Sequence, residues 1–411
     1  MNRVDFARTR KAVFRNVILA AGLCASAAVL AQGAATFKIG VATDMSSAYS
    51  DLSGKGSVIA AQLAIEDFGG SVLGKKIEIV SADHQMKPSV GSSLVTEWFD
   101  RSNVSAVFGL AGSSVALAVQ AIAKDRPTRT VVHTVPLTSE LIGKSCLPNA
   151  VHWAPDSYAL AAAVTRYMTK QGGKSWFIMV QDTAAGPPAR AAAADGILKG
   201  GGKISGDVRV PFNAGDVSSF VLQAQSSRAN LIAVGFGGSD LINIVKAGRQ
   251  FGIEKSGAAF VSLALFGPDI EGMGLELAKG ITFVMPFYPE MNAEARAWSK
   301  RFQDRAGRLP AWSQVADYEG VLHYLRAVQK AGTDDAQKVV PIMKTGPINM
   351  FSIEGGAIRE DHQLIRPMYL SKVKAPDQSK FPGDFYEIIG KVPASEVFSP
   401  LADSACGMVK K

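Results

Sequence analysis

Apolar residues along most of the chain follow two different periodicities. Short runs that alternate or are apolar throughout, as at residues 37–41, 104–109 and 130–134, are typical of buried strands. Longer segments repeat apolar residues every three or four positions, as at residues 156–171, and predict amphipathic helices. Because strands and helices follow one another, the sequence predicts an α/β fold whose parallel sheets are covered by helices on both faces.

The alternation of strands and helices occurs in two successive series. The first has predicted strands at residues 37–41, 76–81, 104–109 and 130–134, and helices at 56–68, at 88–101 and in a segment that ends at 124. The second has predicted helices at 156–171, 187–199, 216–228 and 240–251, and strands at 175–180, 208–210, 231–234, 258–263 and 281–284. Three further helices, at 293–307, 313–331 and 335–344, precede a strand at 368–373. Two such series predict two doubly wound parallel-sheet lobes.

The order of these elements also predicts how the chain divides between the lobes. The late helices have no strand between them and therefore cover a lobe that is already built. We expect lobe 1 to contain residues 36–152 and about 288–350, and lobe 2 to contain residues 153–287 and about 351–395. No low-complexity linker separates the lobes, which favours a hinge over a flexible tether.

The N-terminal segment has the pattern of a secretory signal peptide. Five basic residues and one acidic residue lie within the first 15 positions, an uncharged apolar stretch covers residues 17–30, and small residues follow at 31–35. The apolar stretch is short for a membrane anchor, which is the alternative reading. Leu23 precedes Cys24, whereas a lipoprotein needs a small residue there. We therefore expect residues 1–31 to be removed at a site between 31 and 35, leaving a periplasmic protein without a lipid anchor.

The net charge of the chain does not alter these predictions. The 44 basic and 36 acidic residues of the 411-residue chain give a formal net charge of +8. Loss of residues 1–31 leaves 39 basic and 35 acidic residues, a net charge of +4. Basic residues are spread out, so a nucleic-acid partner is not expected. Five scattered histidines and no nucleophile motif predict neither a metal site, nor a cofactor, nor an enzyme.

Two cysteines remain after removal of the signal peptide. Cys146 lies in a predicted loop and Cys406 lies near the C-terminus. An oxidising compartment would allow them to form a disulfide, which would hold the tail at residues 396–411 to the body of the protein. Two free buried thiols are the alternative.

The loops that follow the strands are the candidate ligand site. In open parallel sheets, ligands bind outside the carboxyl ends of the strands, where helix N-termini also point. The segment Gly112, Ser113 and Ser114 offers free helix N–H groups and two hydroxyls, which can hold a carboxylate without an arginine. Ser113 is alternatively a simple N-cap. Neighbouring candidates in the first series are Ser47, Tyr49, Val135, Pro136 and Thr138. Candidates in the second series are Thr183, Phe236, Gly237, Phe266, Asp269 and Phe287, of which the three phenylalanines could equally be core residues between the lobes.

Several segments resemble one known family, the solute-binding proteins of ATP-driven importers for branched-chain amino acids, which have the type I periplasmic binding fold. The resemblance rests on FKIGVATDMSSAYSDLSGKGSVIAAQLAIEDFGG at 37–70, VFGLAGSS at 107–114, the glycine pair at 237–238 and ARAWSKRF at 295–302. It covers essentially all of residues 36–411. The chain is more similar to the branch that takes up aromatic or other small carboxylic acids, which also carries cysteines near positions 146 and 406.

The resemblance implies where the ligand would bind. The family holds the ligand carboxylate in the loops that match 112–114 and 135–138, and closes second-lobe aromatics over the rest of the ligand. This chain departs from the family where its usual aromatic pair is replaced by Thr183 and Ala185, which implies a roomier pocket. In amino-acid binders, an acid near Asp269 neutralises the ligand ammonium. Asp269 does this here or caps the helix predicted at 270–277.

The resemblance therefore implies a transport function. We expect a monomeric binding component that captures a small organic carboxylate and delivers it to membrane permease subunits of an ABC importer. One alternative is an amino-acid or amide binder of the same transporter class. A second alternative is a ligand-sensing module of a signalling receptor.

Overall fold

The first sheet is built from the N-terminal part of the chain. The computed structural model describes residues 36–410, so the predicted signal peptide lies outside the described residues. The strands of this part are β1 (Phe37–Thr43), β2 (Ser71–Val72), β3 (Lys75–Asp83), β4 (Val104–Gly109), β5 (Thr130–His133) and β6 (Ala150–His152). The helices are α1 (Gly54–Phe68), α2 (Pro88–Asp100) and α3 (Ser113–Lys124). The sheet order is β2-β3-β1-β4-β5-β6, in which β2 pairs antiparallel with β3 and all other pairs are parallel.

The second sheet is built mainly from the middle of the chain. Its first strands are β7 (Ser175–Asp182), β8 (Lys203–Pro211), β9 (Leu231–Gly235), β10 (Ala259–Ser262) and β11 (Thr282–Met285). Helix α4 (Ser157–Lys170) precedes β7, and the helices between the strands are α5 (Gly186–Lys199), α6 (Ser218–Ser226), α7 (Ser239–Gln250), α8 (Gly267–Met273) and α9 (Leu275–Ala278). Val, Ile and Phe fill β7, β9 and β10, which are buried on both faces, as central parallel strands require.

The C-terminal part of the chain completes both lobes. Its helices are α10 (Ala293–Ala306), α11 (Trp312–Ala331), α12 (Ala336–Met343) and the short α13 (Ala394–Val397). Its strands are β12 (Ile348–Met350), β13 (Ile353–Ile358), β14 (Leu364–Ile365), β15 (Met368–Val373) and β16 (Tyr386–Val392). Helices α10 and α11 pack on α1 of the first lobe. The second sheet has the order β16-β15-β11-β10-β9-β7-β8, and β12, β13 and β14 form a small third sheet.

The sequence predicted the fold class correctly and missed the antiparallel additions. Two lobes with mainly parallel sheets are present, and most predicted strands and helices are found within a few residues of their expected limits. The strand predicted at 208–210 begins earlier, at Lys203, and the helix predicted at 270–277 is divided at Gly274 into α8 and α9, because Gly274 adopts a positive φ of 74°. The missed antiparallel strands are β2, β12, β13, β14 and β16, and the short strand β6, which is parallel to β5, was missed as well. Most of these have two or three residues, too few to show a period, and β16 is a half-exposed edge strand that pairs antiparallel with β15. The expected division of residues between the lobes and the hinge stays a prediction.

The structure joins Cys146 and Cys406 in a disulfide whose Cα atoms are 5.6 Å apart. The bond links residues 260 positions apart in sequence. Cys406 is buried, so the C-terminal segment is held against the loop that precedes β6.

We predict that Cys406→Ser lowers the free energy of unfolding by about 2–5 kcal/mol, because the unfolded chain regains the freedom that the disulfide removes. Urea unfolding followed by circular dichroism measures this loss. The double variant Cys146→Ser/Cys406→Ser is the control and should match the single variant. Two titratable thiols in the oxidised wild-type protein would contradict the pairing.

A buried ion pair ties α11 to the segment between the third sheet and β15. Glu319 and Arg366 are 0% and 2% exposed, and their Oε2 and Nη1 atoms are 3.3 Å apart. The Ser352 hydroxyl donates to Glu319 Oε1 at 2.7 Å and lies 2.9 Å from Arg366 Nη1. Removal of one charge would leave the other buried without compensation.

We predict that Glu319→Ala destabilises the protein by about 3–5 kcal/mol, because the Arg366 guanidinium then stays buried and unpaired. The double variant Glu319→Ala/Arg366→Met removes both charges and should be less destabilised than the single variant. Urea unfolding of both variants provides the comparison. Equal destabilisation in the two would show that the pair is not coupled.

Candidate functional site

A cavity of about 220 Å³ lies where the carboxyl ends of the strands in the two sheets face each other. Loops after β1, β3, β4 and β5 line it from the first sheet, and loops after β7, β8, β9 and β10 line it from the second. The first-sheet residues are Tyr49, Leu52, Met86, Gly112, Ser113, Ser114, Val115, Val135, Pro136 and Leu137. The second-sheet side includes Gln181, Asp182, Thr183, Ala185, Phe212, Phe236, Gly237, Leu263 and Phe266.

The N-terminus of α3 is the polar part of the first-sheet wall. The N–H groups of its first residues have no helical acceptor, and no side chain caps them. Ser113 is 7% exposed and lines the cavity, and its hydroxyl has no hydrogen-bond partner among residues 36–410. Ser114 beside it is exposed and also lines the cavity. This end of α3 therefore presents unpaired donors to whatever fills the cavity.

Gly112 allows the chain to make this turn. Its φ of 85° is a left-handed conformation that side-chain-bearing residues rarely adopt. A Cβ atom at this position would also lie 2.6 Å from the terminal methyl carbon of Met86. Met86 therefore packs directly over the turn that starts α3.

The cavity wall carries almost no charge. Of the residues that line it within 36–410, none is Lys, Arg or His, and Asp182 is the single acidic residue. Asp182 is exposed and faces Arg209, with 3.4 Å between Oδ1 and Nη1. An anion in the cavity would have to be neutralised by the N–H groups and dipole of α3 rather than by a cation.

A buried aspartate shapes the loop that brings Tyr49 to the cavity. The carboxylate of Asp44, at the end of β1, accepts hydrogen bonds from the N–H groups of Ser47 at 3.0 Å and Tyr49 at 2.9 Å. It also accepts from the Ser47 hydroxyl at 2.7 Å. Ser47, a predicted ligand residue, therefore stabilises the loop and does not line the cavity.

Aromatic rings form much of the remaining wall. Tyr49 and Phe212 meet edge to face, with ring centroids 5.9 Å apart. Phe266 stacks on Trp312 with centroids 4.4 Å apart, and the Trp312 indole N–H donates to the Leu265 carbonyl at 3.0 Å. Phe236 is buried and lines the cavity.

The two walls come into contact beside these rings. Gly238 has a φ of 62°, and a Cβ atom there would lie 2.1 Å from the Ala48 carbonyl oxygen. Only glycine permits this approach, which brings the loop after β9 against the loop after β1.

Two further predicted residues lie outside the cavity. Thr138 is fully buried, and its hydroxyl accepts from the Glu140 N–H at 3.4 Å, so it caps a short 3₁₀ helix. Phe287 is buried against Phe351, with ring centroids 6.0 Å apart. Phe287 follows β11, which lies beyond the four strands of the second sheet whose loops reach the cavity.

Asp269 is also absent from the cavity wall. Its Oδ1 atom accepts from the Gly238 N–H at 2.8 Å, and its Oδ2 atom accepts from the Phe266 N–H at 3.0 Å. It therefore caps the start of α8 and fastens the loop after β9 to the loop after β10. Burial raises the pKa of Asp269 to about 7, against the lowering effect of the two N–H donors.

Sequence reasoning missed several residues of the wall. Gln181 and Phe212 lie at or directly after strands that extend one or two residues further than predicted. Met86 lies in the loop after β3, where the rule about loops after strands places candidate ligand residues. It was not named because a methionine in a sequence does not by itself indicate a ligand contact. Leu52 and Ser157 begin or precede helices and gave no signal of their own.

Comparisons with known proteins agree with this architecture. The family model described as periplasmic binding protein matches residues 36–380. The chain belongs to this family, with the type I fold. A periplasmic binding protein from Burkholderia mallei is 37% identical, with a TM-score of 0.88, covering 91% of this chain and 99% of its own.

Two other solved structures are also similar. A branched-chain amino acid ABC transporter periplasmic ligand-binding protein from Burkholderia xenovorans is 36% identical, with a TM-score of 0.83, covering 91% of this chain and 100% of its own. A solute-binding protein from Rhodopseudomonas palustris in complex with benzoate is 19% identical, with a TM-score of 0.80, covering 91% of this chain and 100% of its own, and shares the fold. No protein of curated function matches the chain.

Since the folded-state pKa of Asp269 exceeds its usual value, folding favours its protonated form, and this contribution is lost as the pH rises through about 7. We predict that the wild-type protein gains stability relative to Asp269→Asn as the pH falls from 8 to 5, by on the order of 2 kcal/mol. Urea unfolding of both proteins at each pH measures the difference. A pH-independent difference would mean that Asp269 is ionised throughout.

Proposed function

We propose that this protein is the extracytoplasmic binding component of an ABC importer and captures a small organic carboxylate between its two lobes. The observation that carries the proposal is the start of α3, where unpaired N–H groups and the buried, unpaired Ser113 hydroxyl face the cavity. A carboxylate supplies the acceptors and the negative charge that this arrangement favours.

The rest of the cavity favours a ligand with an apolar body. Leu52, Val135, Leu137, Phe236 and Leu263 present hydrocarbon surface to it. A small aromatic or short-chain acid would bury its body against these residues and the rings beside them. The small side chains of Thr183 and Ala185 leave room on the second-sheet side, so a ring fits the proposal better than a very short chain.

The carboxylates near the cavity already have partners within the protein. This favours a ligand that is a carboxylic acid without an amino group over an α-amino acid. A bound amino acid carries an ammonium group that needs an anionic or strongly accepting partner. Both carboxylate oxygens of Asp269 accept from backbone N–H groups, and Asp182 is exposed beside Arg209. The benzoate complex of the Rhodopseudomonas palustris protein is consistent with this preference.

A branched-chain amino acid or amide is the second candidate ligand. The Burkholderia xenovorans protein, which is 36% identical, is described as a branched-chain amino acid ABC transporter protein. Gln181, at the second-sheet wall, has an uncharged amide oxygen that would have to accept from the ligand ammonium or amide in addition to the Tyr49 hydroxyl, which donates to it at 2.7 Å.

Export, closure of the lobes and docking on the permease would follow one another in this function. We propose that residues 1–31 direct export and are then removed, that the lobes close on the ligand as a monomer, and that the closed form docks on the permease subunits. Contacts from both lobes to one ligand would favour closure. Binding without turnover is expected. A sensing module that passes ligand occupancy to a signalling partner would use the same cavity.

A ligand screen tests the substrate class. Purified protein without residues 1–31 is heated with benzoate, 4-hydroxybenzoate, short-chain acids, leucine or leucinamide, and the shift in melting temperature is recorded. We expect stabilisation by one or more carboxylic acids that lack an amino group. Selective stabilisation by leucine or leucinamide would contradict the carboxylate proposal in favour of the second candidate.

We predict that Ser113→Ala/Ser114→Ala weakens binding of the acid that emerges from this screen by roughly tenfold or more, because hydrogen bonds to a charged group contribute about 1.5–3 kcal/mol. Calorimetric titration measures the dissociation constant. Ser157→Ala is the matched control, since that cavity hydroxyl already donates to the Leu137 carbonyl at 2.6 Å. Unchanged affinity in the double variant would show that the carboxylate is held elsewhere.

A further inference from the structure

One side-chain hydrogen bond crosses from the first-sheet wall of the cavity to the second-sheet wall. The Tyr49 hydroxyl donates to Gln181 Oε1 at 2.7 Å. Tyr49 belongs to the loop after β1 in the first lobe, and Gln181 lies near the end of β7 in the second. Both residues line the cavity, so this bond joins its two walls.

The position of each partner is determined within its own lobe. Gln181 Nε2 donates to Asp240 Oδ2 at 2.5 Å, and the same oxygen accepts from the Asn213 N–H at 2.9 Å. Gln181 and Asp240 are 3% and 4% exposed. Because a carboxylate accepts only from the NH₂ group of the amide, Asp240 orients Gln181 with its oxygen towards Tyr49. On the other side, Asp44 holds the Tyr49 backbone.

We propose that Tyr49 and Gln181 form a closing contact that sets the affinity of the receptor for all its ligands by the same factor. The inference rests on the proposed function, since it concerns opening and closing of the same cavity. Both partners belong to the chain, so the bond favours the closed arrangement whether or not a ligand is present. The apparent dissociation constant of any ligand then depends on the fraction of molecules that this bond keeps closed.

The Tyr49–Gln181 hydrogen bond is suited to stabilising the closed arrangement because separation of the lobes would break it completely. Each partner is held by its own lobe, so neither side chain can follow the other when the lobes separate. The nearby approach of Gly238 to Ala48 would be lost in the same motion. Asp240 and Asp44 would keep Gln181 and Tyr49 in position for the next closure. All four residues therefore act as positioning residues for the binding step.

Small-angle X-ray scattering of the ligand-free protein tests the closing contact without any ligand. Tyr49→Phe retains the ring and loses the hydroxyl, and we expect its radius of gyration to exceed that of the wild type. Tyr318→Phe is the matched control, because its hydroxyl donates to Asp67 at 2.8 Å between two helices of the first lobe. Gln181→Met is the second variant and should resemble Tyr49→Phe. Radii equal to the wild-type value in both cavity variants would overturn the proposal.

Binding kinetics separate a closing contact from a ligand contact. We expect Tyr49→Phe to raise the dissociation constants of benzoate and of a smaller acid such as propionate by the same factor, about 3- to 10-fold, mostly through faster dissociation. A loss confined to one of the two acids would overturn the proposal, since Tyr49 would then contact the ligand directly. If the wild type binds neither acid, the proposed ligand class fails, while the scattering comparison still decides on the closing contact.

Discussion

The structure depends on one geometric property of parallel sheets: every strand delivers its following loop, and the N-terminus of the next helix, to the same edge. In this protein two such edges face each other across a single cavity. Free backbone N–H groups therefore collect there without any basic side chain. The anion site that we propose would therefore be formed by backbone N–H groups, since no Lys, Arg or His lies in the cavity wall within residues 36–410.

Four buried ionisable residues outside the cavity wall have structural partners. Asp44 and Asp269 accept from backbone N–H groups of the loops that they organise. Glu319 and Arg366 pair with each other where α11 meets the segment before β15. Because a buried charge is costly without compensation, each of these side chains determines the conformation of the segment around it. The cavity wall consists mainly of hydroxyls, rings and aliphatic surface, with Gln181 and Asp182 at the second-sheet side.

Prediction from the sequence succeeded where a feature is local. The patterns of strands such as β4 and β7 and of helices such as α4 are visible within 6 to 14 residues. The rule about loops after strands named Ser113, Tyr49, Phe236 and Phe266, which line the cavity. The same rule also named two hydroxyl residues that do not line the cavity. Ser47 and Thr138 have hydroxyls like those of Ser113, but their hydroxyls bond to their own loops. Nothing in the sequence distinguishes a hydroxyl used within its loop from one left free.

The sequence by itself determined the α/β class and the two series of elements, because these follow from short-range periodicity. It also indicated the edge of the sheets at which we expect a ligand, because the loops after parallel strands share one edge. Only the tertiary structure decided which loops meet. It brought Tyr49 within 2.7 Å of Gln181, 132 positions away in sequence, and joined Cys146 to Cys406. It also left the Ser113 hydroxyl facing a cavity with no partner. Such contacts depend on how segments that are far apart in sequence pack together, and no local sequence pattern encodes that packing.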